Sequence, residues 1–573
     1  MPLEEKIRKN EDFIEEVLGE DRQNDNTDDE QVRLTHSQIL ISLASDADLF
    51  HTSDLTGYAT INIDGHYEHW PIKSKQFKHY LVKRFYDHKE KPPGNQALQD
   101  ALNTLEAKAC YEGPELPVFK RIASDEEAVY IDLCDSTWSA IKISSEGWMV
   151  VSNPPVKFCR VKGMQPLCVP ESGGSIEELK SFINIYDEKD WHLIVAWLLG
   201  AMRPDGPYPI LVLQGEQGSA KSTAAKVLRE LIDPSLSPLR TTPREERDLA
   251  IGANNAWLLA YDNMSGIPHW LSDALCRVAT GGGFATRTLY SDDEETIFDY
   301  TRPIIMNGID EIVSRHDLLD RCILINLPVI PEGQRKDEEN FWNEFNKAKG
   351  RVLGALLDAL AEAIRNYNQV ELYTLPRMAD FAKWVIASEN ALPWPEGDFM
   401  NAYSGNQKEA VDMALDNDCV AAAVIALIED RDEFEGTATE LIENLSEFID
   451  DKTQRSKAWP NTAKALGNRI RRSATFLRQK GIEVNFKRTC EKRLIVINEK
   501  TENDNYRHDC HNVKFPESEP RNIVTMENRM TQKMSSAQPT SYLKPPSNKQ
   551  NDINDKHDDD LHIDPNDLRR VVI

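Results

Sequence analysis

A short apolar run, Ile210 to Leu213, enters a turn carrying Gly215 and Gly218 and leads to Lys221, Ser222 and Thr223. Apolar residues then recur at helical spacing: Ala224, Ala225, Val227, Leu228 and Leu231. The pattern reads strand, phosphate loop, helix, and it constrains the chain more than any other feature. In such a loop the backbone N–H groups and the helix N-terminus cradle phosphates, the Lys reaches the β- and γ-phosphates, and the hydroxyl after it binds Mg²⁺. Gly215, Glu216, Gln217, Gly218, Ser219, Ala220, Lys221, Ser222 and Thr223 are therefore the candidate nucleotide-binding residues. The usual pattern is G-x-x-x-x-G-K-[ST], and Ala220 stands where its last Gly belongs. Alanine is the smallest replacement, but it resists positive φ. A Gly-rich turn before an ordinary helix is the competing structural reading.

A nucleoside triphosphatase also needs an acid at the end of a neighbouring strand to hold Mg²⁺. The apolar run from Ala256 to Tyr261 ends on Asp262, which fills that role, with Ser222 as the second metal-binding residue. Asn263 follows, an amide that can orient water but cannot take a proton. A third apolar strand, Pro303 to Met306, ends on Asn307, a candidate sensor of the γ-phosphate. Arg321, just before the apolar run Cys322 to Ile325, is a candidate arginine finger toward a neighbouring subunit. Its alternative is an ion pair with Asp317 or Asp320. Between the second and third strands, Gly281, Gly282 and Gly283 precede Phe284, Arg287 and Tyr290, which offer stacking and phosphate contacts to nucleic acid. A structural hairpin is the plainer alternative there.

A length of 573 residues accommodates about three or four domains. The acidic stretch 1–32 reads as disordered. Residues 33–180 mix helical and alternating patterns, an α+β module, and 181–335 hold the phosphate-loop core, entered by an apolar helix over 181–200. Residues 336–435 read as a helical bundle or lid, and 499–573 as a polar, disordered tail. The net charge of −28 argues against a generally adhesive nucleic-acid or membrane surface, yet the stretch from Lys452 to Arg493 is strongly basic. Within 436–498 an amphipathic helix, a basic helix and a basic strand pair make a winged-helix-like pattern. Arg469, Arg471, Arg472, Arg478, Lys487 and Arg488 are its candidate DNA contacts; a solvated face on an interaction domain is the alternative.

Nine scattered cysteines without CxxC spacing argue for reduced thiols, and His508, Cys510 and His511 form only a small cluster in the tail. No apolar run is long enough to span a bilayer and the N-terminus has no apolar signal core, so a cytoplasmic location is expected. The last residues, Leu568 to Ile573, are a candidate docking peptide for a replication partner.

Taken in order, GEQGSAKST, LLAYDN, LSDALCRVATGGGFATRTLY, RPIIMNG and LLDR resemble the ATPase region of phage and mobile-element primase–helicase proteins, which is similar to superfamily 3 helicases of the AAA+ class. The resemblance runs over about residues 45–498. It implies an AAA+-like α/β core with a parallel sheet, ATP with Mg²⁺, a homo-oligomeric ring (a hexamer by the family's habit), and DNA unwinding. Residue by residue it assigns Lys221 and Ser222 to the phosphate loop, Asp262 to Mg²⁺, Asn307 to the sensor and Arg321 to the finger. Ala220 and Asn263 depart from the wider pattern, and residues 33–180 carry no clear primase carboxylate motif. Two other functions compete with a DNA helicase or translocase: an ATP-binding loader or regulator with little turnover, favoured by Asn263, and, more weakly, a small-molecule kinase.

Overall fold

The computed structural model describes residues 34–499 apart from short stretches at 283, 288–294, 299, 309–311, 314, 373, 417, 457–458 and 489–491. The acidic N-terminal segment, the polar tail with His508, Cys510 and His511, and the terminal Leu568 to Ile573 lie outside the described residues, as do the side chains of Phe284 and Arg287.

The described chain opens with α1 (His36–Ser42) and an antiparallel meander of β1 (Asp48–His51), β2 (Gly57–Ile63) and β3 (His66–Pro71), followed by α2 (Lys75–Lys89) and α3 (Asn95–Tyr111). Phe77, Leu81 and Phe85 recur on one face of α2 and are buried in a cluster with Leu98, Leu102 and Leu105 of α3. A second antiparallel sheet follows. After β4 (Val118–Phe119), the strands β5 (Ile122–Ser124), β6 (Val129–Asp132), β7 (Ala140–Ser144) and β8 (Gly147–Val151) pair in sequence order, and β9 (Lys157–Phe158) returns beside β4.

The helix expected over 181–200 divides in two. A 3₁₀ turn covers Ile176–Phe182, and α4 (Glu188–Ala201) begins only after Asp187, whose side chain accepts from Lys189 N–H. Asp187 as cap and Glu188 and Asp190 in the first turn are helix-start signals, and this charged stretch separates the apolar residues before it from those of α4.

The central core holds β10 (Ile210–Gln214), α5 (Lys221–Glu230), α6 (Glu246–Asn254), β11 (Leu259–Tyr261), α7 (His269–Thr280), the hairpin β12 (Phe284–Arg287) and β13 (Glu295–Phe298), β14 (Ile304–Asn307), α8 (His316–Leu319) and β15 (Cys322–Asn326). Its sheet is parallel throughout, in the order β11-β14-β10-β15. Strands covered on both faces read as continuous apolar runs, and β10 is buried at every residue. Leu211 and Leu213 meet Ala224, Val227 and Leu228 of α5 on one face; Ile210 and Val212 meet Leu271, Leu275 and Val278 of α7 on the other.

The helices after 336 are α9 (Glu338–Asn366), α10 (Ala379–Ser388), α11 (Asp398–Asp416) and α12 (Cys419–Arg431). α9 and α10 share the buried cluster of α4 and α5, whereas α11 and α12 contribute Val411, Leu415 and Val424 to the opposite cluster. These helices enclose the sheet. Both sheet edges are closed: Asn406 of α11 holds the backbone N–H and C=O of Leu324 in β15, and Arg240 bonds the outer side of β11 through Ala260 O at 2.8 Å and Asp262 N–H at 2.9 Å.

The chain continues with β16 (Glu433–Thr437), α13 (Ala438–Leu445), α14 (Asp451–Gln454), α15 (Ala463–Gln479), β17 (Ile482–Arg488) and β18 (Arg493–Glu499). The predicted basic strand pair is β17 and β18; β16 joins them as an unforeseen third strand, in the antiparallel order β16-β18-β17. Its sequence, EFEGT, is too polar and too short to announce a strand.

Asp233 connects the N-terminal sheet to the core. Its carboxylate takes Arg121 Nε at 3.0 Å and Arg229 at 3.5 Å, and accepts the backbone N–H groups of Trp257 and Leu258 at 3.1 and 3.2 Å. Arg121 also donates to Asp132 O and Gln165 O, both at 2.9 Å.

α9 approaches the segment before the 3₁₀ turn at two glycines. Glu171 N–H donates to Gly350 O at 2.9 Å, and a Cβ on Gly354 would lie 1.9 Å from Glu171 O. Alanine normally stabilises a helix interior relative to glycine by about 0.5–1 kcal/mol. Here the sign reverses: Gly354→Ala is expected to cost about 2–3 kcal/mol through overpacking. Gly405→Ala in α11, where a Cβ meets nothing within 4 Å, should gain slightly. Urea unfolding of both variants checks this, and equal shifts would remove the close-approach argument.

Candidate active site

The four parallel strands end on one edge of the sheet, and that edge collects the candidate residues. In register, Leu213 stands beside Asn307 and Gln214 beside Asn326, while Tyr261 stands beside Met306. Asp262 and Asn263 therefore follow β11 next to the end of β14, with Gly215 following β10. Ligands of open parallel sheets sit at such carboxyl ends, where neighbouring connections diverge.

The loop from Gly215 to Ala220 leads directly into α5. Gly215 has φ 147° and Gly218 φ 89°, and Ala220 itself adopts φ 62° as the N-cap of α5. The structure thus puts Ala220 in the left-handed conformation that favours the Gly of the usual pattern, a placement costing about 1–2 kcal/mol for an L-residue. Lys221 is 9% exposed, and its ammonium donates to Gly215 O and Glu216 O at 2.7 Å each and to Ser219 Oγ at 3.1 Å. Burial pushes its pKa below the ordinary Lys range, opposed by the Asp262 carboxylate. Ser222 Oγ donates to Asp262 Oδ1 at 2.7 Å, joining the loop to the strand-end acid.

Asn307 is 1% exposed; its Oδ1 accepts Asn263 N–H at 2.8 Å, whereas its Nδ2 has no partner among the described residues. A buried amide donor left free is a fitting point for a phosphate or water oxygen. Asn263 takes φ 54°, which an Asn tolerates better than most residues, and its side chain is exposed. Lys221, Ser222, Thr223, Asp262, Asn263 and Asn307 are thus brought to one edge.

Arg321 is not among them. Its carbonyl accepts Ile210 N–H at 2.9 Å, so it lies at the opposite edge of the sheet, about 16 Å along the strands from the loop. It makes no carboxylate ion pair among the described residues: one Nη donates to Asp317 O, its Nε is buried without a partner there, and Asp320 instead pairs with Arg377 at 2.6 Å. Within its own subunit it is remote from the phosphate loop.

Sequence reasoning missed the cavity beside the loop. It encloses about 410 Å³ between Ala220 and Thr223, the residues around Phe182 and Asn184, and Phe341 and Trp342 of α9. Phe341 stands edge-on to both Phe182 and Trp342, with ring centroids 5.7 and 5.4 Å apart. Asn184 Nδ2 donates to Ser219 O at 3.3 Å and also to Pro328 O, stapling the loop to the segment after β15. Aromatic residues before α4 and at the start of α9 carried the signal, but only the fold shows that they meet.

The cations of the basic C-terminal module differ in their partners. Arg469 pairs with Asp418 at 2.9 Å, and Arg478 donates to Val484 O at 2.8 Å and lies 3.6 Å from Glu483. Arg471 and Arg472 are exposed on α15; the Arg471 guanidinium donates to Asn468 Oδ1 at 3.4 Å and lies 4.6 Å from the centroid of the Phe486 ring on β17. Lys487, 3.7 Å from Glu435, and Arg488 are exposed along the same strand. Among the described residues no cluster of three or more His, Cys, Asp or Glu forms a metal site, and no helix is long and apolar enough to cross a membrane.

This is a P-loop-like α/β core carrying a basic C-terminal module. A model of the replication protein of actinomycete integrative conjugative elements matches residues 176–395, and a model of the C-terminal domain of RepA from such elements matches residues 420–513. Over those stretches the chain is similar to a replication-associated protein. Solved structures similar to this chain include the SCCmec type IV Cch active helicase (13% identity, TM-score 0.44, 79% of this chain and 92% of that one) and the apo C-terminal region of NrS-1 (13% identity, TM-score 0.37, 81% and 99%). No curated protein matches the chain.

The dual use of the Asn307 amide is testable. Asn307→Ala leaves the Asn263 N–H without its acceptor and should cost about 1–3 kcal/mol in chemical denaturation. A variant as stable as the parent would show that this bond does not position the strand end.

Proposed function

We propose that the protein is an ATP-driven DNA helicase or translocase serving the replication of a mobile element, working as a ring of like subunits. The observation that carries this reading is the 2.7 Å contact between Ser222 Oγ and Asp262 Oδ1 at the mouth of the phosphate loop. Those two oxygens are the donors that would hold Mg²⁺, a cation that takes a few protein oxygens and completes its shell with water and phosphate. When bound there, Mg²⁺ neutralises charge on the β- and γ-phosphates. Lys221, now satisfied by loop carbonyls, would exchange them for phosphate oxygens. Asn307 Nδ2 supplies a buried donor for the γ-phosphate or the attacking water. The cavity beside Ala220 and Thr223 suits a flat base against Phe341 and Trp342. The similarity to replication proteins over 176–395 supports the assignment to replication.

In this reading Arg321, remote from its own loop, acts on the nucleotide of the next subunit. The β12–β13 hairpin with Phe284 and Arg287 would move DNA, and the 436–498 winged-helix-like module would hold it through Arg471, Arg472, Lys487 and Arg488. A second reading, an ATP-binding loader or regulator with little turnover, is favoured by Asn263, where an amide stands in place of a proton acceptor.

The deciding measurement is Mg²⁺-dependent ATP hydrolysis with and without single-stranded DNA. The motor predicts DNA stimulation that Lys221→Ala abolishes; tight ATP binding with negligible turnover in both conditions would select the switch. Arg321→Ala and Lys221→Ala, each inactive alone, should recover part of the activity when mixed, because mixed rings restore a competent interface. No recovery in mixtures shown to co-assemble would remove the finger role.

The exposed cations of α15 make a separate prediction. Arg471→Ala and Arg472→Ala should each weaken DNA binding and reduce the slope of log K against log salt by about one. Unchanged slopes would reassign this face to a protein partner.

A further inference from the structure

The segment between β15 and α9 crosses the phosphate loop. Leu327 N–H donates to Gln214 O at 2.8 Å and Ile330 N–H to Gly218 O at 3.2 Å. The approach is close enough that a Cβ on Gly215 would lie 2.3 Å from Leu327 O. The Asn184 amide holds the same two strands of chain together through Ser219 O and Pro328 O. A 3₁₀ turn over Glu332–Gln334 then delivers Arg335. An ideal Cβ on Gly218, in the middle of the loop, would lie 3.6 Å from an Nη of Arg335. Arg335 is exposed, and its guanidinium has no ion pair or hydrogen bond among the described residues. Its neighbour Lys336 differs, standing 3.5 Å from Glu344 and 6.0 Å from the Phe182 ring centroid.

We propose that Arg335 binds the phosphate chain of the nucleotide held by residues 215–223 of its own subunit. The inference rests on the nucleotide-site reading given above. Lys221 is enclosed by the loop carbonyls and approaches from α5, whereas Arg335 arrives on the crossing segment and is free to turn toward the loop. A guanidinium offers paired donors matched to phosphate oxygens, and such charge-assisted bonds are among the stronger polar contacts in proteins. The crossing segment is tied to the loop by two backbone bonds, so the cation comes with the site without assembly. Arg321 cannot serve this role in the same subunit, since it lies at the other edge of the sheet.

The test uses the full chain and measures the affinities of AMP, ADP and ATP with Mg²⁺ for the parent, Arg335→Ala, Arg335→Lys and Lys221→Ala, with Lys347→Ala on the exposed face of α9 as a charge control. A phosphate contact predicts that Arg335→Ala weakens ATP by about 10-fold or more, ADP less and AMP little. Arg335→Lys should recover part of the loss, and Lys347→Ala should match the parent. If the parent fails to bind ATP, or Lys221→Ala binds like the parent, the nucleotide site itself is overturned. If the parent binds, Lys221→Ala does not, and Arg335→Ala matches the charge control, the Arg335 assignment alone is overturned. Equal losses for AMP, ADP and ATP would overturn it too, because they mark a change in the loop's shape rather than a lost phosphate contact.

Discussion

The buried carboxylate of Asp233 is the constraint on which the arrangement of the modules depends. It lies just past α5 and faces two guanidinium groups that are 0% and 1% exposed, those of Arg121 and Arg229. Burial pushes Arg229 below the ordinary Arg range, and Asp233 opposes that shift. Each partner belongs to a different part of the chain: Arg121 to the approach to the N-terminal sheet, Arg229 to the phosphate-loop helix, and Trp257 and Leu258 to the entry of β11. Buried charges of this kind stabilise a fold mainly by making every alternative arrangement expensive, since an unpaired guanidinium in the interior costs several kcal/mol. One side chain thereby fixes where α5 ends relative to where β11 begins. Those two elements carry Ser222 and Asp262.

The candidate site is a consequence of that registration. Parallel pairing aligns the carboxyl ends of the strands, so residues dozens of positions apart in sequence converge without a long-range contact being specified for each. β14, between β10 and β11, carries Asn307 to a place where one amide oxygen holds Asn263 and the amide nitrogen has no partner among the described residues. The chemistry available is positioning and charge stabilisation, which is what phosphoryl transfer chiefly requires of a protein.

The strand, loop and helix over 210–230 were legible because the apolar run, Gly215 and Gly218, Lys221-Ser222 and the helical period agree there, with Ala220 as the one departure from the usual pattern. The basic helix and strand pair were legible for the same reason. The start of α4 is marked in the sequence by Asp187-Glu-Lys-Asp190, which interrupts the apolar residues on either side; a single helix over 181–200 runs across that charged boundary. β16 was invisible because it pairs along one edge with charged side chains exposed. Charge counting marked Arg469 and Arg478 together with Arg471 and Arg472; only the fold shows that Asp418, Glu483 and Val484 O already occupy the first two. Asn184 and the aromatic wall from Phe182 to Trp342 could not be found from spacing, since their relation to the loop is purely tertiary.

The closed edges of the central sheet bear on how copies of this chain can meet. An open edge presents a ladder of unpaired backbone groups, an unspecific invitation to strand addition and fibrous growth. Here the Asn406 amide imitates a neighbouring strand at Leu324, and Arg240 does the same for β11 with its own backbone. Self-association through this sheet must therefore be written in side chains, where shape and charge set a rotation angle, rather than in main-chain bonds, where any strand will serve. The two caps give up an easy adhesive so that assembly, when it occurs, is selective in partner and in geometry.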